Sequence, residues 1–271
     1  MAAQNTDIHL YTTQTPNGIN ISILLEELGL KYQVRKHVLV YLQRDPGWSL
    51  LKTTTVEITK NTQKEPWFLE INTSGRIPAL TDTKEDGQTV KLFESGSIMQ
   101  YLVDRYDKDH RVSYPYGSRE HWEVNNWLFW QMGGLGPMQG QFAHFNRYAP
   151  EKIQYGIERY RNETRRLYGV METQLQKSCS GYLVGDRCTV ADISCWGWVA
   201  AAAGSGADIA EFPVLKEWRD KLLARTAVEK GRHVPSPHTV LEYYKLSEEE
   251  LKKKFEGASK WIQASMKEDS K

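Results

Sequence analysis

The chain has 271 residues, enough for two domains that each bury a core of their own. A formal net charge of +1 supplies no global field to attract nucleic acid or an anionic membrane surface. Apolar stretches are broken every few residues, which excludes a helical membrane span.

The three cysteines, Cys179, Cys188 and Cys195, show neither CxxC nor metal-ligand spacing, so no metal is expected. An odd cysteine count without a disulfide framework fits a reducing compartment. Residues 1–7 are polar and lack the apolar run of a signal peptide. The expectation is a soluble cytoplasmic protein.

Residues 8–11 are predicted to form a short strand. A polar, proline-marked turn over 12–18 leads into a helix whose Ile21, Leu24, Leu25 and Leu28 make one apolar stripe. Gly29 is placed to end that helix in the left-handed conformation. Residues 32–38 follow as a second strand, giving a β-α-β opening. Further on, residues 79–81 and 90–93 read as strands joined by a turn at Asp86 and Gly87. A helix starts at Ser95, with Ile98, Tyr101 and Leu102 on its inner face. The Ile77–Pro78 bond is a candidate cis peptide, because this proline precedes a strand and cannot donate to a ladder.

Residues 104–118 turn polar, with Pro115 and Gly117, and read as a linker. Beyond them the period is helical. Ile153, Ile157, Tyr160, Leu167, Met171 and Leu175 trace one long amphipathic helix. In "CTVADISCWGWVAAA", Thr189 and Asp192 occupy the N-cap and N3 positions of another, a carboxylate variant of the capping box worth on the order of 1 kcal/mol. Ser247 and Glu250 repeat the pattern before a charged terminal helix with a thin stripe of Leu251, Phe255 and Ile262.

The β-α-β opening, "RIPAL" at 76–80, "FESG" at 93–96 and a helical half carrying "TVADI" at 189–193 occur in an order that resembles the cytosolic glutathione transferase superfamily, over about 8–231. "TPNG" at 15–18, "WLFWQMGGLGPMQGQ" and "IERYRNETRRLYGVME" are similar to the branch holding the bacterial nu-class transferases and the yeast nitrogen-regulator prion protein. The resemblance implies an α/β thioredoxin-like N-terminal domain over 1–107 that binds glutathione or glutathione disulfide. It implies an all-α C-terminal domain over 119–235 and a homodimer, and 236–271 remains as a charged helical tail.

In that fold the helix beginning near Asn17 points its N-terminus at the glutathione sulfur. A free thiol has a pKa of about 8.5, and only its thiolate reacts. Lowering that value by two units takes about 2.7 kcal/mol of preferential stabilisation of the anion. A helix N-terminus together with one charge-assisted hydrogen bond, itself about 1.5–3 kcal/mol, reaches that magnitude. Thr15 and Asn17 are both donors, so they stabilise a thiolate that glutathione supplies.

The resemblance also gives roles to other residues. Ile77 presents its backbone to the cysteinyl part of glutathione, Glu94 faces the ammonium and Ser95 the carboxylate of the γ-glutamyl end. Gln63 aligns with a glutamine that contacts glutathione, Arg159 with an arginine that reaches it, and His144 with a wall of the cleft. The activity implied is glutathione-dependent disulfide reduction, with weaker conjugation of small electrophiles over a wall including Trp130 and Met138. The alternative is a non-catalytic glutathione-binding regulator like the yeast protein, whose long Asn/Gln-rich extension is absent from 1–7.

One segment departs from the pattern. Relatives pass almost directly from the second strand to the stretch resembling "VEITK", whereas here 37–55 intervenes. It reads either as a loop over the cleft, where Tyr41 and Trp48 alter access, or as a retained intron or gene-model error.

Overall fold

The computed structural model describes residues 7–30, 32–35 and 51–269. They form two compact units, one of Met1–Val112 with Arg225–His238 and one of Ser113–Ala224 with Thr239–Lys271.

The first unit is a five-stranded sheet with helices. In chain order it contains β1 (Ile8–Thr12), α1 (Pro16–Glu27), β2 (Tyr32–Arg35), β3 (Leu51–Thr55), α2 (Pro66–Leu69), β4 (Ala79–Thr83), β5 (Thr89–Phe93) and α3 (Ser95–Tyr106). Two 3₁₀ turns, Ile58–Lys60 and Thr62–Lys64, lie between β3 and α2. The strand order is β2-β3-β1-β4-β5. β2, β3 and β1 run parallel, and β4 is antiparallel to both β1 and β5.

Two features follow the sequence closely. The Ile77–Pro78 peptide is cis, and Gly29 sits at φ +67° beyond α1. Two others differ from it. The strand beginning at Tyr32 does not pair with β1, because β3 occupies that place. Leu51–Thr55, expected within an intervening loop or an artefactual stretch, is thus an interior strand, while 36–50, with Tyr41 and Trp48, lie outside the described residues. Helix α1 is also more than amphipathic. Ile19, Ile21, Ile23, Leu24 and Leu25 are all fully buried, so a second body must cover the face away from the sheet.

The second unit is helical. It contains α4 (Arg119–Trp130), α5 (Gly136–Ala143), α6 (Gln154–Lys177), α7 (Val190–Ala200), α8 (Ala202–Ser205) and α9 (Pro213–Leu223). Wide π-type turns at Gln131–Leu135 and His144–Tyr148 flank α5. The first of them ends where Pro137, which has no N–H to give, enters α5. Of the predicted stripe, helix α6 buries Ile157, Leu167, Met171 and Leu175 and half-buries Tyr160, whereas Ile153 is the exposed N-cap residue before it.

The capping box at α7 forms as expected and extends further. The Asp192 carboxylate accepts from the Thr189 N–H at 3.0 Å, the Leu183 N–H at 2.9 Å and the Trp218 Nε1–H at 2.9 Å. Burial pushes the Asp192 carboxyl pKa up, against these hydrogen bonds.

After α9 the chain returns to the first unit as α10 (Thr226–Gly231), and this helix is the second body on α1. A Cβ built on Gly231 would lie 2.5 Å from the Ile23 Cα, so only glycine permits the approach. The Ser22 hydroxyl donates to the Gly231 carbonyl at 2.7 Å. At the far end of α1, Arg225 grips the buried Glu27 carboxylate through two bonds of 2.6 and 2.8 Å.

The second unit closes with α11 (Glu248–Asp269). Its Ser247–Glu250 capping box forms, and Phe255 packs edge-on against Tyr148. No helix among the described residues is long and apolar enough to cross a membrane.

Candidate functional site

The register of the sheet decides which residues meet. Tyr11 of β1 pairs with Ala79 of β4, and Ala79 pairs with Phe93 of β5. The end of β1, the start of β4 and the end of β5 therefore form one row, about 10 Å across at two strand spacings. The chain leaving β1 carries Thr15 and Asn17, the chain entering β4 carries Ile77, and the chain leaving β5 carries Glu94 and Ser95. Gln63 reaches the same end from β3. Thr55 pairs with Thr12, the Val56 N–H donates to the Thr12 carbonyl at 3.0 Å, and a Cβ built on Gly75 would lie 3.1 Å from the Gln63 carbonyl.

Six of the seven sequence-expected site residues thus share one end of the first unit. The seventh, Arg159, belongs to the second unit. There it is exposed on α6, where with the closer Arg166 it holds the Glu163 carboxyl below its usual range.

The opening turn is built from close approaches. Thr15 is the N-cap of α1, and its Oγ1 accepts from the Gly18 N–H at 3.1 Å, a bond worth about 1 kcal/mol to the helix. The hydroxyl proton is not consumed by this cap. Gly18 has no room for a side chain, since a Cβ would stand 2.3 Å from the Thr13 carbonyl oxygen and 2.5 Å from Thr12 Oγ1. Asn17 is half-buried in the first turn, which carries no acidic residue. The positive end of a twelve-residue helix, a hydroxyl and a carboxamide therefore share one turn that has no acidic residue of its own.

The rest of the row is equally determined. Asn72 folds the approach to Ile77, its amide donating to the Arg76 carbonyl at 2.7 Å and its oxygen accepting from the Ser74 N–H at 2.9 Å. Ile77 packs beside the cluster of Val56, Phe68 and Ala79. Gln63 is buried, and its Oε1 has no hydrogen-bond partner among the described residues. Glu94 stands at φ +65°, ψ 121°, outside the left-handed well that other residues visit. It is the N-cap of α3, whose first residue, Ser95, is buried. Strain of this kind costs about 1–3 kcal/mol and persists where it serves a site. Two twelve-residue helices, α1 and α3, thus begin at the same end of one sheet.

Nearby Tyr11 is no source of phenolate. Burial raises its pKa first, and a Thr81 hydrogen bond only partly offsets that. Among the described residues no cluster of His, Cys, Asp or Glu could hold a metal ion. Residues 16–105 match the family model for the glutathione S-transferase N-terminal domain, and residues 141–230 match that for the C-terminal domain. The chain belongs to the glutathione S-transferase family.

Disulfide-bond oxidoreductase YfcG of Escherichia coli is 38% identical over 222 residues, covering 81% of this chain and 92% of its own. A glutathione transferase homologue from Lodderomyces elongisporus, crystallised with two glutathione molecules per subunit, is 41% identical with a TM-score of 0.73, covering 84% of this chain and 98% of its own. The glutathione transferase URE2P6 from Phanerochaete chrysosporium, crystallised with oxidised glutathione, is 38% identical with a TM-score of 0.71, covering 91% of this chain and all of its own.

Sequence reasoning did not find Gln14, whose partners lie more than two hundred residues away. Nor did it draw a steric conclusion from Gly18, although that residue ends the quoted "TPNG".

Proposed function

We propose that the row at the end of β1, β4 and β5 binds glutathione, and that Thr15, Asn17 and the start of α1 hold its sulfur as thiolate. The observation that carries this reading is the convergence of two helix N-termini, a hydroxyl, a carboxamide and a buried unpartnered Gln63 oxygen at one sheet end. Glu94 and Ser95 take the γ-glutamyl end and Ile77 the cysteinyl backbone, while the resemblance alone gives Arg159 a role as a glutathione ligand.

The chemistry follows from the anion. The thiolate attacks one sulfur of a small disulfide, the S–S bond breaks, and the departing thiolate takes a proton. The resulting mixed disulfide is attacked by a second glutathione thiolate, which releases the second thiol and glutathione disulfide. Likeness to the disulfide-bond oxidoreductase YfcG supports disulfide reduction, and conjugation of electrophiles is the weaker reaction. The protein works as a cytoplasmic homodimer. An exposed aromatic patch on the second unit supports a covered surface, with Trp122 at 54% and Phe129 at 69% exposure two turns apart on α4.

The test is turnover of a small disulfide with glutathione, coupled to reduction of the glutathione disulfide formed. Turnover above the uncatalysed exchange is expected. Glutathione binding with neither exchange nor conjugation would leave the regulatory reading in its place.

A further inference from the structure

The turn that carries Thr15 and Asn17 is tied to a distant piece of chain through Gln14. Its Nε2 donates to the Arg232 carbonyl at 3.1 Å, the Val234 carbonyl at 3.2 Å and the Ser236 carbonyl. One amide nitrogen carries two protons, so three acceptors share them around a single point. Gln14 Oε1 is buried and has no hydrogen-bond partner among the described residues, so the side chain's hydrogen bonds to them all go to this loop. The loop is itself fixed. It follows α10 and is closed by Arg232 donating to the His238 carbonyl at 3.1 Å and the His238 N–H donating to His233 Nδ1 at 3.0 Å. The same segment holds the middle of α1 through Gly231 and its end through Arg225. One body therefore grips α1 at three levels, and Gln14 is the grip nearest the sulfur site.

Resting on the proposed glutathione site, we infer that Gln14 is a positioning residue of that site, and that the 225–238 segment sets where the first turn of α1 stands relative to the end of the sheet. Gln14 need touch no reacting atom. It fixes the residue before the Thr15 cap, and thereby the hydroxyl, the carboxamide and the helix end together. Positioned donors lose much of their effect when displaced by about 1 Å, because their value lies in preorganisation.

The experiment compares the full chain with Gln14→Ala and Gln14→Lys. Lysine brings three N–H donors to the three carbonyls, so it keeps the tether while changing the side chain. Three readouts are taken: the pKa of bound glutathione from its thiolate ultraviolet absorbance, kcat and KM for disulfide exchange, and amide hydrogen exchange at Gly18 and Ile19 without ligand.

Gln14→Ala is expected to raise the bound thiol pKa by about one unit and lower kcat about tenfold. KM for glutathione should stay within about threefold, since Ile77, Glu94 and Ser95 are untouched. Exchange at Gly18 and Ile19 should quicken while the second unit keeps its protection. Gln14→Lys should return kcat, thiol pKa and exchange to within about threefold of the parent.

An alanine variant with parental kcat, thiol pKa and turn exchange overturns the inference, as does a lysine variant no better than alanine. If Gln14→Ala unfolds outright, the lysine variant alone decides. If the parent chain itself shows no lowered glutathione pKa, the functional reading fails instead. Amide exchange then still tests the tether.

Discussion

Acidification should loosen the segment that holds α1, and His238 sets where. This side chain is buried at 7% exposure, and its pKa is pushed down to about 4. Burial is the largest cause, followed by the Arg232 and His233 charges, with Glu229 opposing them. In the unfolded chain the imidazole titrates near its ordinary value of about 6.5. Between those two values the unfolded state binds the proton and the folded state does not, so stability rises with pH across that window. The contribution is complete above about 6.5 and lost as pH falls through about 4. At about 1.4 kcal/mol per unit the window amounts to about 3 kcal/mol, a large part of an ordinary domain's stability of about 5–15.

The assay is urea unfolding at stepped pH, comparing the parent with His238→Asn. Carboxylates titrate in both proteins, so the difference in pH slope isolates the histidine. The parent should lose about 3 kcal/mol more than the variant between about pH 6.5 and 4. Parallel slopes would refute the reasoning. Because the His238 backbone braces the loop that receives Gln14, exchange at Gly18 should quicken over the same window.

Asn17→Ala should lower turnover tenfold or more at unchanged unfolding midpoint, about the effect of losing one donor to an anion; parental kinetics would remove Asn17 from the mechanism. Glu94→Gly should separate stability from binding. Relief of the φ +65° backbone should stabilise the fold by about 1 kcal/mol, while glutathione affinity measured by calorimetry falls at least tenfold. A less stable variant would deny the strain. Asp192→Ala orphans three buried N–H donors at about 1–3 kcal/mol each and should lower the urea midpoint steeply, with Asp192→Asn milder. Similar midpoints for the two variants would show that the carboxylate's contacts do not carry the helix start.

What was legible in the chain was what local chemistry decides. The cap at Thr189, the stop at Gly29, the stripe on α6 and the cis bond at Ile77–Pro78 depend on neighbours within a few residues. The candidate site residues came from the resemblance carried by "TPNG", "RIPAL" and "FESG"; each motif sits at a strand end, and strand register gathers them. The second cover on α1 was not, because it depends on Gly231 and Arg225 meeting Ile23 and Glu27 across some two hundred residues of chain. The wide turns around α5 were hidden because their helical period continues through them.

Strand order conceals a spare part. Tyr32 pairs with Leu51 and Arg35 with Thr54, so β2 and β3 run side by side at a constant offset of nineteen residues. Residues 37–55 are themselves nineteen. Excising them would hand every position of β2 the berth its partner holds, setting Gln33 opposite His9, Val34 opposite Leu10 and Arg35 opposite Tyr11, with no change of face. Only the connection over 28–31 would have to travel, by one strand spacing of about 4.8 Å. A chain shortened in this way should fold into a four-stranded sheet and exchange disulfides within about threefold of the parent. An unfolded product would show that the two strands are not interchangeable.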